Sequence, residues 1–284
     1  MPIHTHNDTD NHSHTHTHSH NHELFSDIYS TKEFQLFDIP LEIQDTNEVA
    51  AAKKAVETNE TYENLIELGG ALCFQLRYRE AANAFERAVE LDGDKILAHR
   101  KLALCYLKTN RLEKSQAEFS LCDVDTPDSL DITYRLGLVA YYLGDYAKAK
   151  EEFFRSFELS KDWGEMYIAV IYWYILTLAK LNENLDYVTS LYNDEIQVGH
   201  HVGYDLTAKL FCKIDTQENL YNIAKSNDEM TFTIYLYGQY IFNKMNGDKE
   251  KAKASIEEML KTDKYWGSFA YLGAFYDTQT EKNI

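Results

Sequence analysis

Histidine supplies the clearest chemistry in this chain. Eight of the 11 histidines fall in the first 22 residues: His4, His6, His12, His14, His16, His18, His20 and His22. From His12 onward they alternate with Ser, Thr or Asn. In an extended chain, residues two apart project to the same side, so neighbouring imidazoles can converge on one ion. Neutral imidazole suits zinc, nickel and copper. Asp8, Asp10 and Glu23 could add oxygen ligands. The Ser, Thr and Asn interruptions set the run apart from a plain purification tag. The tail has too little apolar surface to bury a core and is expected to be disordered.

Other reactive patterns are absent. The sequence contains no GxxxxGK phosphate loop, no HExxH and no GxSxG. Asp123-Val124-Asp125 opens like a calcium loop, but Pro127 and the missing glycine and terminal glutamate spoil it. His99 reads as a satisfied structural histidine. His200-His201 lie in a loop, where adjacent side chains are expected to diverge and chelate poorly. The four cysteines, Cys73, Cys105, Cys122 and Cys212, form no CxxC pair and sit in apolar stretches, as buried reduced thiols of a cytoplasmic protein would. The first residues show no secretory pattern, and the first cysteine comes too late for a lipobox. The apolar run Met166–Ala179 is shorter than the about 20 residues of a membrane span, so a buried helix is expected. With 28 Lys+Arg against 46 Asp+Glu, the net charge of −18 opposes nucleic-acid and anionic-membrane binding.

The body repeats itself. Leu68, Leu102 and Leu136 are 34 apart, and so are Tyr78, Leu112 and Tyr146. Gly69, Ala103 and Gly137 keep the same step, as do Ala81, Ser115 and Ala149. The series Phe85, Phe119, Phe153 and Ala88, Cys122, Ser156 complete the register. Each copy divides into two stretches with apolar residues at three- and four-residue steps, as in a helical hairpin. The small residues let the two helices approach, and the phenylalanines are expected to fill the seam towards the next copy. One hairpin cannot bury its apolar face alone, so copies must stack.

This 34-residue unit resembles the tetratricopeptide repeat (TPR). Residues 62–95 carry Leu65, Leu68, Gly69, Ala81, Phe85 and Ala88 at the signature positions. Residues 96–129 keep Leu102, Tyr106, Phe119 and the closing Pro127, and residues 130–163 keep Leu136, Gly137, Ala149 and Phe153. The resemblance implies an all-α, right-handed superhelical TPR solenoid with degenerate C-terminal repeats. Its divisions are a His-rich tail (1–23), a tether and capping helix (24–61), three repeats (62–163) and degenerate hairpins ending in a capping helix (164–284). The layout also resembles that of NlpI-type bacterial TPR lipoproteins, adaptors that dimerise, although the lipidation signal is missing.

The resemblance implies a non-catalytic scaffold or adaptor that holds a peptide in its concave groove, which the first helix of each repeat lines. The residues placed there are Arg100, Lys101, Leu104, Tyr134, Arg135, Leu138, Tyr141 and Tyr142, with Tyr167 and Trp173 continuing the wall. Aromatics and Arg are common binding hot spots. The tyrosines are equally compatible with inter-repeat packing, and the cations with balancing nearby carboxylates. Ile66 and Gly70 stand where chaperone-binding repeats carry a carboxylate clamp. A homodimer through the C-terminal repeats is compatible with the sequence, and no cofactor is required. The alternative is transition-metal handling (zinc, nickel or copper) through the tail. Changing the eight tail histidines to Asn in the full-length chain is expected to abolish most of its retention on immobilised nickel. Unchanged retention would place the metal-binding groups elsewhere.

Overall fold

A computed structural model describes residues 31–122, 129–262 and 264–282. The histidine tail, Asp123–Asp125 and Pro127 lie outside the described residues. Among those described, every regular element is helical: α1 (Lys32–Phe37), α2 (Asn47–Thr58), α3 (Tyr62–Phe74), α4 (Tyr78–Leu91), α5 (Ile96–Lys108), α6 (Leu112–Ser120), α7 (Ser129–Tyr142), α8 (Tyr146–Ser160), α9 (Gly164–Lys180), α10 (Asp186–Ser190), α11 (Val202–Phe211), α12 (Gln217–Ser226), α13 (Glu229–Met245), α14 (Lys249–Leu260) and α15 (Phe269–Lys282).

Local chemistry starts and stops these helices. Thr46, Thr61, Thr216 and Asp228 cap α2, α3, α12 and α13 by accepting a backbone N–H three residues on, and Asp145 and Asp248 do so for α8 and α14. The turn inside each hairpin follows one design. Leu76, Asn110 and Gly144, again 34 apart, adopt left-handed backbone conformations. The next amide then reaches back five residues: Arg77 to the Leu72 carbonyl, Arg111 to Tyr106 and Asp145 to Ala140. This is the Schellman closure of a helix. It recurs after α9, α11 and α13, at Asn182, Lys213 and Gly247. The hairpin array therefore continues past Trp163, where the side-chain register fades.

The small residues act as expected, with one correction. A Cβ on Gly137 would stand 2.8 Å from the Phe153 ring, and one on Gly69 would overlap Phe85. Each of these phenylalanines thus packs first on the glycine of its own hairpin rather than only on the next copy. Phe153 also faces forward and lies parallel to Trp173 at 6.3 Å between ring centroids. In the later hairpins Gly238 of α13 admits Thr207 of α11. The reason is curvature: the inner helices α9, α11 and α13 converge, and α13 packs on α9 as well as on α11.

The stretch Met166–Ala179 lies in α9 and is buried from Ile168 to Ala179. Among the described residues no helix is long and apolar enough to cross a membrane. The N-terminal tether packs on the body through α1. Leu36 is buried, Phe37 meets the Phe275 ring edge-on at 5.4 Å, and the Gln35 side chain accepts the Arg79 amide at 2.8 Å.

Truncating Phe153 empties a site shared by three helices, because the ring touches Gly137, Tyr134 and Trp173. Phe153→Ala is expected to lower unfolding free energy by about 3–5 kcal/mol in a denaturant titration. A loss below about 1 kcal/mol would show that the seam is loosely packed.

Candidate functional site

A concave groove needs exposed inner residues, and eight are placed there by the sequence. Four of its eight residues fail. Tyr134, Leu138, Tyr141 and Tyr142 are all buried, and so is Trp173. The reason is tertiary: the segment 264–282 turns back and fills the concave face. The helix α15, expected from the sequence as an end cap, packs on α7, α13 and α14. Gly273 makes this approach close, because a Cβ there would stand 2.7 Å from the Tyr237 ring.

Polar bonds fix the filling segment in place. The Tyr142 hydroxyl donates to the Phe269 carbonyl at 2.7 Å, and the Tyr276 hydroxyl donates to the Leu107 carbonyl at 3.2 Å. Tyr237 donates to the Asp277 carboxylate at 3.1 Å and shares a 3.0 Å hydrogen bond with Tyr141. Lys180 of α9 reaches the same carboxylate at 2.7 Å. Trp266 meets Tyr78 of the first hairpin edge-on. Burial pushes the phenols of Tyr134, Tyr141 and Tyr142 well above the usual 10, so they stay neutral hydrogen-bonding groups.

Lys108 sits under this segment. It donates to the Gly267 carbonyl, and its ammonium lies 3.8 Å from the centroid of the Phe269 ring. Burial, with a smaller contribution from Arg135, holds its pKa well below the usual 10.5. Sequence reasoning passed over Lys108, Tyr237 and Asp277. A signal existed in Tyr271, Leu272, Phe275 and Tyr276, an apolar helix face too rich for a solvated end cap.

The other four residues remain together at the surface. Arg100, Lys101, Leu104 and Arg135, with Asp131, line a depression of about 320 Å³. Arg135 Nε is 2.8 Å from Asp131, so one cation there is paired locally with a carboxylate. Helices α5 and α7 position the set, on the rim of the filled groove. Three cations beside one carboxylate and an aliphatic side chain can hold an acidic, extended ligand.

His99 is satisfied, as expected. Its Nδ1 lies 2.6 Å from Glu118 and its Nε2 2.9 Å from the Gly93 carbonyl. The divergent geometry expected of His200 and His201 is not found, since their rings lie 4.1 Å apart between centroids. Burial and the neighbouring His200, opposed by Glu165, lower the His201 pKa to about 4. The four cysteines are free, and the Cys73 and Cys105 sulfurs lie 3.6 Å apart.

Comparison with known proteins agrees with this architecture. Residues 130–162 match the tetratricopeptide repeat family. No curated protein matches the chain. Among solved structures, the chain is similar to a tetratricopeptide repeat protein from Parabacteroides merdae. The two share 15% identity and superpose with a TM-score of 0.52, covering 89% of this chain and 98% of the other. At that identity the likeness concerns the fold, an all-helical repeat array of the TPR type.

The buried lysine gives this closure a pH signature. The unfolded chain binds the Lys108 proton more readily than the folded chain between the depressed folded pKa and 10.5. Stability therefore rises with pH across that window and is level below the folded pKa, where both states carry the proton. Wild type is expected to gain stability relative to Lys108→Met from about pH 7 to about pH 10 in denaturant titrations. A difference that stays flat or shrinks would place the ammonium in contact with water.

Proposed function

We propose that this chain is a non-catalytic, cytoplasmic protein-interaction scaffold whose ligand site is the basic rim formed by Arg100, Lys101, Leu104 and Arg135. The observation that carries this reading is the depression of about 320 Å³ that these residues line. It borders the chain's own C-terminal segment, whose Phe269 ring lies 5.7 Å from the Arg135 guanidinium. Its cations stand out on a protein of net charge −18, so an acidic segment finds local attraction there and repulsion over most of the remaining surface. Leu104 gives an apolar seat beside the charges, and the aliphatic stems of the cations extend it. The ligand that fits is an extended acidic peptide or a short acidic segment of a partner protein. A ligand that must enter the centre of the arc is not favoured, because Tyr134, Leu138, Tyr141 and Tyr142 are buried.

The test is a fluorescence-anisotropy titration with labelled extended peptides bearing Asp or Glu at every second or third position. Arg100→Glu combined with Lys101→Glu is expected to weaken binding by at least about tenfold, or about 1.4 kcal/mol. Raised salt should weaken wild-type binding in the same way. Equal affinity for wild type and variant would remove the basic rim from consideration.

A further inference from the structure

The loop between α10 and α11 lies directly on the first turn of α9. Two glycines permit this approach. Gly199 has φ of +50°, and a Cβ there would overlap the Glu165 carboxylate. A Cβ on Gly164 would stand 2.6 Å from the Gln197 carbonyl oxygen. The result is a cluster of donors from segments far apart in sequence. His200 Nδ1 is 3.1 Å from Glu165 Oε2. The His200 and His201 rings lie 4.1 Å apart with planes inclined at 39°. One donor atom each from Glu165, His200 and His201 all fall within 4.8 Å of one another.

We propose that Glu165, His200 and His201 form a binding site for a divalent transition-metal ion, a site on the folded body distinct from the histidine tail. Two imidazole nitrogens and one carboxylate oxygen suit an ion of borderline softness such as zinc. Zinc bonds to these donors are about 2.0–2.2 Å long and tetrahedrally arranged, so donors sharing one ion lie about 3.4 Å apart. A small side-chain rotation closes the set. The His200 and Glu165 side chains are 70% and 48% exposed, so they have room to make it. A simple imidazole–carboxylate pair accounts for His200 and Glu165 but not for His201, whose Nδ1 is buried without a hydrogen-bond partner.

Three protein ligands leave further coordination positions for water or an incoming group. Beside the cluster, Asp162, Trp163, Gly164, Glu165 and Met166 line a depression of about 430 Å³. Glu165 belongs to both, and Trp163 is 65% exposed there. A group entering that depression therefore approaches the same carboxylate that would bind the ion.

The test uses the full-length chain with its eight tail histidines changed to Asn, so that ions on the tail do not mask the body site. Equilibrium dialysis against zinc is expected to give one bound ion per chain. Zinc should also raise the Tm, because an ion bound only to the folded state stabilises it. His200→Asn and Glu165→Gln are each expected to weaken zinc binding by at least about tenfold and to abolish the rise in Tm. Both positions are exposed, and circular dichroism of the metal-free variants checks that they fold. Absence of bound zinc in the parent chain, or equal binding by parent and folded variants, would overturn the proposal.

Discussion

The packing of α15 into the concave face is the contact on which the rest of this structure depends. An arc of hairpins has an inner surface as well as inter-repeat seams, and here that surface is aromatic. Tyr134, Tyr141, Trp173 and Tyr237 would form a large apolar patch if left open. The chain covers it with its own C-terminal segment, which contacts both early and late hairpins. The buried carboxylate of Asp277 is central to the arrangement. It lies between Lys180 of α9 and Tyr237 of α13, and Tyr237 is in turn bonded to Tyr141 of α7. Removing one member of such a buried ion pair leaves the other charge uncompensated, which typically costs about 3–5 kcal/mol. The polar contacts thus fix which surfaces meet, while the aromatic burial supplies most of the stabilisation.

This closure changes what the repeats can do. An open array offers an extended inner channel, whereas this one keeps only a rim on α5 and α7. There the side chains are mainly charged, so recognition relies on electrostatic complementarity more than on apolar burial. The α1 segment adds to the same closure. Phe37 rests against Phe275, and Gln35 and Arg79 join α1 to the first hairpin. The N-terminal α1 segment therefore meets the C-terminal α15, which ties together elements that are distant along the solenoid.

The two halves of the array were unequally legible in the sequence. In the first half, tight packing constrains residue identity: Phe85 and Phe153 each pack on a glycine, so a small residue (Gly69, Ala103, Gly137) and Phe recur at a fixed step. In the second half the hairpins persist, but their turns are built from backbone hydrogen bonds. Asn182 and Lys213 adopt the left-handed conformation as Leu76 and Asn110 do, with little residue signature. The histidine pair shows a related limit. Adjacent side chains diverge in an extended strand, but His201 is the N-cap of α11 with φ −87° and ψ 35°. The two rings lie close together, with their planes tilted.

The sequence by itself determined the helical-hairpin unit, its length, its small-and-large packing pairs and the acidity of the surface. These depend on residues near one another along the chain, where a 34-residue register or a capping side chain leaves a readable mark. Only the tertiary structure decided which inner residues meet a partner and which meet the chain itself. Tyr141 and Lys101 carry equivalent signals as inner-helix residues, yet one is buried under α15 and the other faces solvent at the rim. The difference comes from the accumulated curvature of the whole array. It sets where residues 264–282 can reach, and no local pattern encodes that sum.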